Sequence, residues 1–170
     1  APRKNVPTLL RAVWQLQECY KQDVRLVLAG GKGWLFEDAF ALVEELELDD
    51  RVHFVGRVSS EDLLYLYNAA EMLAHPAFYE GFGLPPLEAM ACGLPPVVSN
   101  VASLPEVVGD AGLLIDPHDT DELTVAMWRL LNDSDLRQEM QTKGLRQAQR
   151  FSWERAARET QEIYELAYEK

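Results

Sequence analysis

The sequence is short of positive charge and of cysteine, and it contains no long apolar run. Sixteen Lys and Arg stand against 28 Asp and Glu, a net charge of −12 over 170 residues. So acidic a surface repels polyphosphate and argues against a DNA or RNA partner. A small phosphorylated ligand in a locally positive pocket is still compatible with it. The two cysteines, Cys19 and Cys92, lie far apart, which excludes a disulfide framework and a zinc-binding spacing. They read as buried, reduced thiols of a cytoplasmic protein. No segment approaches the roughly 20 apolar residues of a membrane span. Ala1-Pro2-Arg3-Lys4-Asn5 has no signal-peptide character. With no initiator methionine, the sequence reads as part of a longer chain. It has no internal repeat and no low-complexity segment.

What is present is an alternation of helical and strand periods. Val6, Leu9, Leu10, Val13 and Trp14 fall on one helical face. Val24–Ala29, closed by Gly30-Gly31, reads as a buried strand. Phe36, Ala39, Phe40, Val43 and Leu46 mark a second helix, and Val52–Gly56 the next strand. Ser59 and Ser60 N-cap a third helix. Strands are also expected at 71–76, 96–99 and 112–116, with a short helix over 87–91. Beyond Pro117 the pattern is helical, and residues 152–170 form a final amphipathic helix. This order predicts an α/β fold with a doubly wound parallel sheet, one Rossmann-like domain over 1–170. Ligands of such sheets bind at the carboxyl ends of the strands.

The segment Tyr79-Glu80-Gly81-Phe82-Gly83-Leu84-Pro85-Pro86-Leu87-Glu88 follows a strand and so lies at that edge. Gly81 and Gly83 permit a tight turn and close approach to a ligand. Pro85 or Pro86 suits a helix start, whose free N–H groups favour an anion. Glu80 and Glu88 can both face the crevice, where carboxylates accept bonds from vicinal sugar hydroxyls.

The run E-G-F-G-L-P-P-L-E-A-M-A-C-G resembles the signature of GT-B retaining glycosyltransferases, the family-4 or group 1 glycosyl transferases that include sucrose synthases and bacterial mannosyltransferases. Pro2–Asn5 is similar to the family's phosphate-binding start, and Phe54–Val58 to its base-binding segment. Ser103–Val108 through Pro117 is similar to its later strands, and Phe151-Ser152-Trp153 to the opening of its last helix. The resemblance implies the C-terminal, nucleotide-sugar-binding half of a two-domain enzyme that is inactive without its N-terminal acceptor domain. Any peripheral membrane contact would belong to that domain. It also implies a role for each matching residue. Glu80 contacts the donor hexose and Lys4 neutralises the leaving diphosphate. Gly81, Phe82, Gly83 and Leu84 offer backbone N–H groups. Glu88 holds the ribose, and Gly56, Arg57 and Val58 line the base. The implied donor is a UDP- or GDP-sugar, with no cofactor and no metal.

Two departures stand out. Pro96 occupies a position usually held by Val. The family's first strand and its arginine, expected before Pro2, are absent, so a five-stranded sheet would contain an empty central slot. We expect another segment, a strand from a partner chain by preference, to fill it. The other readings are a flavodoxin-like binding module without catalysis and half of a nucleotide-sugar epimerase. Gly30-Gly31-Lys32-Gly33 lacks the third glycine of a dinucleotide fingerprint. Asp119-Thr120-Asp121 and Asp133-Ser134-Asp135 read as helix N-caps, not metal ligands. His53, His75 and His118 read as core or turn residues, and Trp14, Trp34, Trp128 and Trp153 as core or interface anchors.

Overall fold

The computed structural model of the chain describes residues 2–31 and 36–168; Trp34 and most of the Gly31–Gly33 stretch lie outside them. A 3-10 turn, Pro2–Lys4, leads into α1 (Val6–Glu18). Then follow β1 (Leu26–Ala29), α2 (Phe36–Glu45), β2 (Val52–Gly56), α3 (Ser60–Ala69), β3 (Leu73–His75), α4 (Leu84–Ala91), β4 (Pro96–Ser99), α5 (Leu104–Val108), β5 (Leu113–Ile115), α6 (Thr120–Asn132), α7 (Ser134–Ala148) and α8 (Trp153–Tyr168).

All strand pairings are parallel. The doubly wound layout is visible at β4, whose four residues are all buried. Successive side chains of a strand point to opposite faces. Val97 joins the cluster built by Leu9, Leu10, Val13 and Leu16 of α1, Leu42 and Val43 of α2, and Leu123, Met127 and Leu130 of α6. Its neighbour Val98 joins Met90 of α4 with Leu104, Val107 and Val108 of α5. Helices therefore cover both faces of β4. Pro96 is accommodated at the first position of the strand, where it pairs with Leu73 and no ladder N–H is lost from the interior.

The strands do not form one continuous sheet. β1 pairs with β2, and β3-β4-β5 form a separate sheet, with no β1–β3 pairing among the described residues. β1 is accordingly not the fully buried strand its composition suggests. Leu26 and Leu28 are half-buried, while Val27 is 43% exposed.

Other expectations are corrected in detail. α4 starts at Leu84, three residues earlier than its apolar pattern suggests, because prolines at its second and third positions need no N–H. Residues 104–108, between the last two expected strands, form α5. Cys19 is exposed and Cys92 half-buried, both as free thiols. His53 faces solvent on β2. Trp14, Trp128 and Trp153 are exposed, so of the two roles expected of them, core or interface anchor, the core one does not hold. Asp119 and Asp133 do cap helices, accepting from Glu122 N at 2.8 Å and Leu136 N at 2.9 Å.

Candidate functional site

The site is assembled where the turn before α1 meets the loop after β3. Asn5 makes the join. It is buried, and its φ of 55° is a left-handed conformation that Asn tolerates better than most residues. Both its amide protons are used, toward Pro76 O at 2.9 Å and Pro117 O at 2.7 Å. Its Oδ1 accepts from Thr8 Oγ1 at 2.7 Å. One side chain thus ties the start of α1 to the carboxyl ends of β3 and β5. Phe78 N adds a bond to Arg3 O at 2.8 Å.

This join delivers Lys4 and Arg3 to Glu80. Lys4 Nζ donates to Glu80 Oε2 at 2.5 Å, and Arg3 Nη1 lies 3.5 Å from Oε1. His75 Nε2, at the end of β3, is 3.2 Å from Oε2, and Gly81 N donates to Oε1 at 3.1 Å. The Glu80 side chain is only 12% exposed. Burial alone would raise its pKa. The hydrogen bond and charge of Lys4, followed by those of His75, outweigh that and bring it to about 2. His75 is shifted below its ordinary value, first by burial and then by the Lys4 charge, against the pull of Glu80.

The loop beyond Glu80 is shaped by Gly83 and held by Ser103. Gly83 is buried with φ 103°, and a Cβ there would lie 3.0 Å from Leu104 Cδ2. Gly81 has no such need within the protein: a Cβ there would meet nothing within 4 Å. Ser103 Oγ lies 3.0 Å from Glu80 O and 2.8 Å from Phe82 O, so its single proton serves both carbonyls. The helix start offers few free amides. Pro85 and Pro86 have none, and Gly81 N is already bonded to Glu80. Phe82, Gly83 and Leu84 carry the rest.

Glu88, exposed on α4, accepts from Tyr67 Oη of α3 at 2.9 Å. Burial, then the bond to Glu88, pushes the Tyr67 phenol above its ordinary value, so it stays a donor. Gly56, Arg57 and Val58 sit beyond the end of β2. Gly30 N donates to Gly56 O at 2.7 Å, and the Arg57 side chain lies over Gly31. They thus belong to the two-stranded half, whereas Lys4, Glu80 and Gly81–Leu84 belong to the turn before α1 and the three-stranded half. Among the described residues no cluster of three His, Cys, Asp or Glu is arranged to hold a metal, and no helix is long and apolar enough to cross a membrane.

Four residues escape the sequence reading of this site: Asn5 as the tether, Tyr67, His75 and Ser103. His75 carries the one usable signal, since it ends the strand that leads into the glutamate loop. Tyr67 gives none, being one of several polar or aromatic residues on α3.

Parallel strands, helices on both faces and a carboxylate–glycine loop at the strand ends define a Rossmann-like α/β domain, and the comparisons agree. The family model of Glycosyl transferases group 1 matches residues 1–147, and the chain belongs to that family. It is similar to O-antigen chain mannosyltransferase B of Escherichia coli, 46% identical over 97% of this chain and 43% of that protein. Among solved structures it is similar to the sucrose-phosphate synthase of Thermosynechococcus elongatus, with a TM-score of 0.88, 33% identity and coverage of 99% of this chain and 43% of that one. It is also similar to Anabaena Alr3699/HepE in complex with UDP and glucose, with a TM-score of 0.84, 26% identity and coverage of 100% and 46%. The chain spans less than half the length of each. Its relatives share the GT-B, Rossmann-like architecture.

Proposed function

We propose that this chain is the donor-binding domain of a retaining hexosyltransferase, taking a hexose from a UDP- or GDP-sugar without a metal. The observation that carries it is the cationic turn, Arg3 and Lys4, held against Glu80 at the mouth of the Gly-Phe-Gly loop. A diphosphate entering there meets two cations in an otherwise acidic protein. These would neutralise the charge that grows on the leaving group, the task a metal serves elsewhere. Glu80 is ionised and would steady positive charge developing at the anomeric carbon of the hexose. Phe82, Gly83 and Leu84 would supply N–H groups to sugar and diphosphate. Glu88, oriented by Tyr67, would accept the two ribose hydroxyls, and Gly56, Arg57 and Val58 would line the base. The mannosyltransferase relative and the UDP complex of a structural neighbour support this reading. On this reading the chain works in the cytoplasm beside an acceptor-binding domain, and alone it transfers no sugar, because positioning of donor against acceptor supplies much of the rate.

Calorimetry of the chain with UDP, GDP and their hexose derivatives tests the proposal. Glu88→Ala should weaken nucleoside-diphosphate binding by about 1.5–3 kcal/mol, the value of a charge-assisted hydrogen bond. Unchanged affinity in that variant would remove the ribose assignment.

A further inference from the structure

Glu80 is held twice, and the two holds differ in kind. Lys4 sits on the turn before α1 with its side chain 33% exposed, and Arg3 beside it is 51% exposed. Both can swing toward an incoming anion. His75 cannot. Its side chain is 11% exposed, its backbone lies in β3 paired with Val98, and the next residue, Pro76, is buried and bonded to Asn5. Its Nε2 meets the same oxygen, Oε2, that Lys4 holds.

A diphosphate carries more negative charge than one carboxylate and competes for both cations. Once they turn to it, Oε2 keeps His75 as its fixed partner. Oε1 keeps Gly81 N, whose loop is tied by Ser103. An ionised carboxylate is acceptor-only, so the bond requires a proton on Nε2; burial disfavours the imidazolium, which leaves the neutral ring protonated on Nε2 as the donor. A neutral donor keeps the carboxylate aimed without cancelling its charge. A second fixed cation would cancel it, and the charge is what a developing positive centre needs.

Resting on the donor-site reading above, we propose that His75 is a positioning residue that keeps the Glu80 carboxylate aimed at the donor hexose after the diphosphate has drawn Lys4 and Arg3 away. Its effect falls chiefly on the hexose, because its side-chain hydrogen bond is made to Glu80.

The test has a ligand-free arm and a ligand arm. In the first, nitrogen NMR of the chain should show the His75 ring neutral with its proton on Nε2, and Glu80→Gln should shift that nitrogen. A proton on Nδ1, or no response to Glu80→Gln, overturns the hold. In the second, affinities are measured for UDP against UDP-glucose and for GDP against GDP-mannose. His75→Leu should leave the diphosphate affinity within about twofold and cut the hexose-dependent ratio of dissociation constants about tenfold, as loss of a charge-assisted bond predicts. His75→Gln, whose amide donor reaches a similar point, should restore most of that ratio. Equal weakening of nucleotide and nucleotide sugar, or a Gln variant no better than Leu, marks a merely structural histidine. Failure of the parent chain to bind any nucleoside diphosphate would overturn the donor-site reading, and the NMR arm would still decide whether His75 holds Glu80.

Discussion

At the residue scale, Asn5 carries structural weight out of proportion to its size. Asn5→Ala removes two buried bonds to Pro76 and Pro117 and leaves their carbonyls without that partner. It also places alanine at φ 55°. We expect a loss of about 2–4 kcal/mol in denaturant unfolding, combining orphaned polar groups with backbone strain. A loss under about 1 kcal/mol, the scale of one ordinary hydrogen bond, would show that the turn is held some other way. Glu80 makes a pH-dependent contribution. Its folded pKa of about 2 lies below the ordinary 4.5, so the folded chain favours the carboxylate more than the unfolded chain does. That stabilisation is complete above about pH 4.5 and fades as pH falls toward 2. The gap in melting temperature between the parent and Glu80→Gln should therefore narrow across that window. A gap that stays constant there would contradict the ion-pair account.

Among the elements, α8 differs from the rest. Every side chain described in it is exposed, including Trp153 at 78%, Ile163 at 63% and Tyr164 at 72%. The helix is amphipathic in sequence, yet its apolar residues bury nothing in this domain. Helix stability in proteins comes mostly from packing such a face, so α8 lends the core little. Truncation after Ser152 should shift the melting temperature by no more than about 2 °C, the effect of at most about 1 kcal/mol in a domain of this size. A larger drop in differential scanning calorimetry would show that α8 folds back onto the domain. By contrast, α7 packs on α4, with Gly144 against Met90, and belongs to the core. Phe151 marks the change, since its ring still meets Phe82 edge-on at 6.0 Å.

For the whole molecule, the division of the sheet matters most. β1 and β3 each pair on one side only among the described residues. Unpaired strand edges invite association. A parallel strand supplied between them, by a longer chain or by a partner, would satisfy both edges and bury Val27 more deeply. We expect a chain extended by an upstream β-forming segment to melt at a clearly higher temperature, and to self-associate less in sedimentation equilibrium. An unchanged melting temperature would mean that the two sheets are already complete.

The sequence alone determined the α/β class, the parallel strands, the capped helix starts and the Glu80–Glu88 loop. Each is written in local pattern: apolar periodicity, proline and glycine punctuation, and Asp or Ser before a helical run. Lys4 and Glu80 were also legible, by resemblance to the family motif, as members of one site. Only the tertiary structure decided what holds them. Asn5 reaches carbonyls 71 and 112 positions away, Ser103 ties a loop 21 and 23 positions behind it, and Tyr67 of α3 meets Glu88 of α4. These are single polar contacts between remote segments, and they leave no periodicity to read. Burial was misjudged for the same reason. Cys19, expected to be buried, is exposed, and Trp14, Trp128 and Trp153 could not be divided between core and interface, because whether a face is covered depends on which other elements pack against it.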